Sequence, residues 1–129
     1  MENGNIALTE AEWEVMQCLW DRSPMTGREV TENLHTRMGW SRSTSLTLLR
    51  RLEAKGAVVG NTDSDVKLFR PLIGKDEVAV RETQSLLNRA YQGSLSLLVS
   101  AFTKDQTLSQ KEIDELYSIL REMEERQDD

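Results

Sequence analysis

The sequence is poor in the residues that build redox, metal and catalytic centres: Cys18 is its only cysteine and His35 its only histidine. One cysteine closes no intrachain disulfide, and one of each supplies too few ligands for a Cys/His metal cage, so neither a metal nor another cofactor is expected. No apolar stretch approaches the roughly 18 residues that would read as a membrane span. The opening Met1 to Asn5 lacks the basic segment and apolar run of a secretory leader, so a cytosolic protein without a membrane partner is expected. Positive charge is also in deficit, with a net charge of −6. Taken as a sum, that speaks against nucleic acid, because duplex binding depends on neutralising phosphates.

What is present places the 129-residue chain among globular proteins, since 38% hydrophobic and 29% charged residues suit neither a disordered nor a membrane chain. The charge is unevenly distributed. Residues 1–73 carry nine basic and ten acidic side chains, whereas residues 74–129 carry seven and twelve. Within the first part, Ser41 to Lys55 holds Arg42, Arg50, Arg51 and Lys55 against the single acid Glu53. That segment is where function is expected.

Thr9-Glu10-Ala11-Glu12 has the capping-box pattern and opens a helix to about Asp21, in which Trp13, Val15, Met16, Cys18, Leu19 and Trp20 cover more than one face. Cys18 therefore reads as core. Ser23-Pro24 breaks the chain, and a second capping box, Thr26-Gly27-Arg28-Glu29, opens a helix ended by Gly39. His35 lies late in that helix, in a solvated or dipole-compensating position. A third helix runs from about Ser41 to Gly56, with Ser45, Leu48, Leu49 and Leu52 on an inward stripe and polar or basic residues facing away.

Val58-Val59, a polar turn from Gly60 to Asp65, and Val66 to Arg70 closed by Pro71 predict a β-hairpin. The expected class is mainly α with this small hairpin: a winged helix-turn-helix head over residues 1–73 and a helical dimerisation arm over 74–129. In the arm, helices are expected over about Lys75 to Ala90, over the apolar run Ser94 to Phe102, and after the cap Ser109-Gln110-Lys111-Glu112. The closing run from Glu122 is mostly charged and is expected to fray. The arm lacks a second layer of its own. A second copy of the chain would supply it, with Leu86, Leu87, Leu95, Leu98, Val99, Phe102, Ile113, Leu116 and Leu120 as the dimerisation set.

Short polar and basic side chains near a helix N-terminus are what a recognition helix needs, because that end enters the major groove. Arg42, Ser43, Thr44, Thr47, Arg50 and Arg51 form the expected DNA-facing set, with Lys67 and Arg70 on the hairpin in support. The competing reading is a winged-helix module for protein contacts without an operator. A ligand-gated regulator, with Leu95 to Phe102 lining a pocket, is a variant of the DNA-binding reading, although that run reads better as dimer core. An enzyme is disfavoured, because the acids fall on helical surface positions rather than around a histidine or a paired carboxylate.

The string Leu8-Thr9-Glu10-Ala11-Glu12-Trp13-Glu14-Val15-Met16, with Trp20, Gly39-Trp40-Ser41, Thr44, Leu48-Leu49-x-Arg51-Leu52 and Lys55-Gly56, resembles the BlaI/MecI penicillinase-repressor family. The second half resembles it as well, through Arg81-Glu82-Thr83, Gly93-Ser94, Leu97-Leu98-Val99, Phe102, Leu108-Ser109 and Glu112 to Leu116. The resemblance implies a bacterial repressor, dimeric through its C-terminal helices, that occludes a promoter by binding an inverted-repeat operator of double-stranded DNA. It also implies release by a signal-activated protease that cuts an Asn-Phe bond in the dimerisation region. Here the matching pair is Ala101-Phe102, with the phenylalanine present and the asparagine absent. The copper-responsive branch carries a cysteine cluster near its C-terminus, where this sequence has none.

Overall fold

Two capping boxes close the way their sequences predict. In a computed structural model that describes residues 6–62 and 65–128, the Thr9 hydroxyl accepts from the Glu12 N–H at 3.1 Å. The Glu12 carboxylate accepts from the Thr9 N–H at 2.9 Å in return. This starts α1, Glu10–Asp21. Thr26 and Glu29 repeat the exchange at 3.1 and 2.9 Å and start α2, Gly27–Met38. Gly39 stops α2 at φ 72°, and Gly56 stops α3, Arg42–Lys55, at φ 83°. Both φ values lie in the left-handed region that glycine enters without a Cβ penalty.

The expected hairpin is part of a larger sheet. Strands β2 (Val58–Asn61) and β3 (Leu68–Pro71) pair antiparallel from Val58↔Pro71 to Asn61↔Leu68. A two-residue strand β1, Met25–Thr26, adds to the other edge of β3 through Met25↔Phe69 and Thr26↔Leu68, giving the order β1-β3-β2. Burial of the Met25 side chain in the core draws that segment alongside β3. The third strand was not foreseen. Strand β3 also starts two residues later than expected, since Val66 is exposed, and Pro71 belongs to it. Asp63 and Ser64 of the expected turn, like Met1 to Asn5 and Asp129, lie outside the described residues.

The core unites the inward faces of the three helices with the sheet. Met16 and Leu19 from α1, Val30 and Leu34 from α2, Leu49 and Leu52 from α3, and Val58 and Phe69 from the strands are buried together. Cys18 is buried among them, its thiol donating to the Met25 sulfur at 3.5 Å, and burial pushes the thiol pKa up. These are the properties of a core residue.

Helix α4, Lys75–Ala90, begins inside this unit. Val78 is buried, the Trp20 indole N–H donates to the Ile73 carbonyl at 2.8 Å, and the Trp13 indole N–H donates to the Glu82 carboxylate at 2.7 Å. These ties explain why the chain divides into compact units at Ser85/Leu86, while the sequence-based boundary after Ile73 falls in the loop before α4.

The second unit, Leu86–Asp129, holds the end of α4 with α5 (Leu95–Asp105) and α6 (Gln110–Gln127). Helix α5 runs three residues past Phe102, and α6 carries the charged tail as helix to Gln127, where fraying was expected. Ser94 and Ser109 cap them, accepting from the N–H groups of Leu97 and Glu112. Neither α5 nor α6 buries a residue. Among the described residues, no helix is long and apolar enough to cross a membrane.

Candidate nucleic-acid interface

Helix α3 presents two faces because its leucines recur at helical spacing. Ser45, Leu48, Leu49 and Leu52 face the core, and steps of 100° per residue put Ser43, Thr47, Arg50 and Ala54 opposite them. Arg42 flanks this outward face on the α2 side, where it shares a groove with Arg28, Thr31, Glu32, His35, Thr36 and Ser41. Thr44 and Arg51 flank it on the other side, in a groove completed by Ala11, Trp40, Ser43, Thr47 and Leu48. All six residues predicted on this helix are exposed.

The start of the helix is organised by Ser41, whose hydroxyl accepts from the Thr44 N–H at 3.2 Å and donates to the Thr44 hydroxyl at 3.0 Å. The Ser45 N–H reaches the Ser41 carbonyl. Of the four N–H groups a helix leaves open at its start, those of Arg42 and Ser43 have no acceptor among the described residues. The partial positive charge of the helix end therefore lies between two polar side chains and an arginine.

Within the head, as far as Ile73, ion pairing takes up most of the positive charge but leaves that of this helix largely open. Arg22 pairs with Glu29 at 3.6 Å, Arg28 with Glu32 at 3.0 Å, Arg37 with Glu14 at 2.7 Å, Lys55 with Glu12 at 2.6 Å and Lys67 with Glu53 at 3.1 Å. Among the described residues, the head cations left without an acid are Arg42, Arg50, Arg51 and Arg70, three of them on α3. Lys55, counted at first with the basic segment, is instead turned into the fold. Its ammonium donates to the fully buried Glu12 and to the Ala7 carbonyl. Burial raises the Glu12 pKa, but the bonds from Lys55 and Thr9 together outweigh it and hold the carboxyl below its ordinary value.

Of the two predicted hairpin residues, Arg70 lies on β3 opposite Val59, half-exposed. Lys67 is tied to Glu53 and sits over the Phe69 ring, 5.1 Å from its centroid. Its side chain crosses β2 at Gly60, where a Cβ would collide with it. The lining residues Arg28, His35, Trp40 and Ala11 were not predicted as part of the surface. The polar positions 28, 31, 32, 35 and 36 have the spacing of one helix face, but nothing local says that this face adjoins α3.

The expected dimerisation residues are mostly exposed in the single chain. Leu86, Leu95, Val99, Phe102, Leu116 and Leu120 are at least 40% accessible, Leu98 and Ile113 are half-buried, and Leu87 is buried. Leu97, Tyr117, Ile119 and Met123, outside the predicted set, are exposed as well. Ala101–Phe102 lies within α5, with Phe102 exposed. Among the described residues, no group of three or more His, Cys, Asp or Glu side chains is placed to hold a metal.

A family model described as penicillinase repressor matches residues 8–122. The chain belongs to the penicillinase repressor family. The penicillinase repressor of Bacillus licheniformis is 36% identical over 119 residues, 92% of this chain and 93% of the relative. The methicillin resistance regulatory protein MecI of Mammaliicoccus sciuri is 30% identical over 120 residues, 93% of this chain and 98% of the relative. Among solved structures, the Bacillus licheniformis BlaI monomer in complex with the blaP half-operator is 32% identical with a TM-score of 0.51, over 56% of this chain and 88% of that one. The members matched here are transcriptional repressors, not enzymes, and the shared head is their winged-helix DNA-binding fold.

Proposed function

We propose that this penicillinase-repressor family member is a dimeric transcriptional repressor that occludes a promoter by seating α3 of each head in the major groove of one half of an inverted-repeat operator. The observation that carries the reading is the concentration of unpaired positive charge on α3. An acidic protein in which five head cations are matched by acids leaves Arg42 unmatched beside the open N-terminal N–H groups, and Arg50 and Arg51 unmatched two turns further along the same helix. Ser43, Thr47 and Arg50 at the centre of the outward face are the base-reading residues, and Arg42, Thr44 and Arg51 on its flanks hold phosphates. Arg70 reaches the neighbouring backbone from the wing. Lys67 joins it by exchanging Glu53 for phosphate.

The apolar faces of α5 and α6 are covered by a second copy. Exposure of Leu95, Val99, Phe102, Leu116 and Leu120 on one small unit is more than a lone chain in water ordinarily leaves open. A symmetric pair of heads calls for a symmetric pair of half-sites. Release follows from loss of that pairing. A protease cutting Ala101–Phe102 would do it by splitting α5, and because the bond is helical, local unwinding must precede the cut.

The test is a titration of the purified protein against a labelled fragment from upstream of its own gene at two salt concentrations, beside Arg50→Ala and with unrelated DNA as competitor. Tight, competitor-resistant binding that weakens with salt supports the reading, with Arg50→Ala costing about 1–3 kcal/mol, roughly 5- to 150-fold, if it pairs with guanine. A salt-independent association, or binding that Arg50→Ala leaves unchanged, overturns the assignment of α3.

A further inference from the structure

Helix α2 brings a second set of polar groups to the edge of α3. Arg28, Thr31, Glu32, His35 and Thr36 lie along one α2 face and, with Ser41 and Arg42, line a surface groove of about 580 Å³. The position of His35 in it is fixed. Its Nδ1 lies 3.1 Å from the Trp40 carbonyl oxygen, which can only accept, so Nδ1 carries the hydrogen and the neutral ring keeps Nε2 as an acceptor. A second proton can go only to Nε2. That proton converts an acceptor, which repels a phosphate oxygen, into a cationic donor that binds one.

Resting on the reading that α3 enters the major groove, we propose that this α2/α3 groove seats a backbone phosphate of the same duplex. Arg28 and Arg42 are its permanent cations and His35 its proton-dependent ligand, so that DNA is held more tightly as pH falls. The strands of a duplex border the major groove, and what flanks a recognition helix therefore meets phosphate.

The charged groups lining the groove are Arg28 and Glu32 from α2 and Arg42 from α3. Helix α1, the other helix packed on α2, contributes Glu14, which is held by Arg37 at 2.7 Å. Glu32 is engaged by Arg28 at 3.0 Å, so one net positive charge faces the phosphate when His35 is neutral and two when it is protonated. Phosphodiesters do not titrate near neutrality, so the pH dependence resides in the protein.

The test measures the slope of log affinity against log salt at pH 8 and at pH 5.5. The probe is a labelled duplex of the fragment the protein selects from upstream of its gene, with a scrambled duplex beside it. Each added phosphate contact steepens the slope by about 0.9. Wild type is expected to bind both duplexes more steeply at the lower pH, by about 0.9 per head. His35→Gln is expected to give the pH 8 slope at both values. Arg28→Gln is expected to flatten the slope at both values and keep the pH difference, which holds the proposal open to refutation even if the histidine variant does not fold. Equal wild-type slopes at the two pH values, or a pH difference that survives His35→Gln, overturn the phosphate seat and leave the α3 reading intact. Absence of salt-dependent binding at either pH overturns both.

Discussion

Lys55→Met removes the ammonium that holds Glu12 while keeping the aliphatic stem. The Lys55–Glu12 pair spans 2.6 Å, with the Glu12 side chain wholly buried and that of Lys55 one-third accessible. Removing one partner of a fully buried pair costs about 3–5 kcal/mol. Here the accessible ammonium was partly solvated, and Glu12 keeps the Thr9 N–H, so a loss of about 2–3 kcal/mol is expected. The sign of the pH dependence follows from the lowered Glu12 pKa. A carboxyl that is more acidic folded than unfolded stabilises the fold fully above its unfolded value, about 4.3, and loses that contribution as pH falls through the folded value.

In Lys55→Met, burial acts on Glu12 without the lysine to oppose it, so the carboxyl takes up a proton at higher pH. The deficit relative to wild type is therefore largest near pH 7 and narrows as pH falls toward 4. Urea unfolding followed by tryptophan fluorescence at pH 7 and at pH 4.5 measures it. A deficit under about 1 kcal/mol, or one that does not change with pH, would refute the account of Lys55 as a structural counter-ion rather than a DNA contact.

Two other expectations concern the arm and the core. Leu120→Asp, with an exposed leucine of α6 in the proposed dimer interface, is expected to shift the protein toward monomer in sedimentation equilibrium while the far-ultraviolet spectrum of the head persists. A wild-type protein that is already monomeric at micromolar concentration would contradict the arm assignment. Cys18, buried with its thiol pKa pushed up, is expected to react with a thiol reagent at the rate of unfolding rather than of a free thiol. Immediate labelling of the native protein would show that the core is open there.

Much of the head was legible because its signals are local. Thr9 with Glu12 and Thr26 with Glu29 announce helix starts through groups three residues apart, Gly39 and Gly56 announce their ends, and the leucine spacing of α3 separates its faces. What was missed depends on distant partners. Strand β1 is two residues long, too short for any period, and exists because β3 offers an edge while the core takes Met25. Lys55 looks like part of a basic patch until Glu12, 43 residues earlier, is seen beside it. Lys67 likewise finds Glu53 only when β3 returns beside β2. The α2 face that adjoins Arg42 has no local mark, since its polar residues read as an ordinary solvated surface.

The central claim is that two copies of α3 read two related half-sites. Selection of bound fragments from sheared genomic DNA, run in parallel with wild type, Thr47→Ala and Leu120→Asp, tests it most directly. Wild type should enrich a short inverted repeat lying over promoters. Thr47→Ala should relax the preference at a symmetric pair of positions within it, and Leu120→Asp should retain at most a single half-site. Enrichment by wild type of no motif, or of one without two-fold symmetry, would contradict the account.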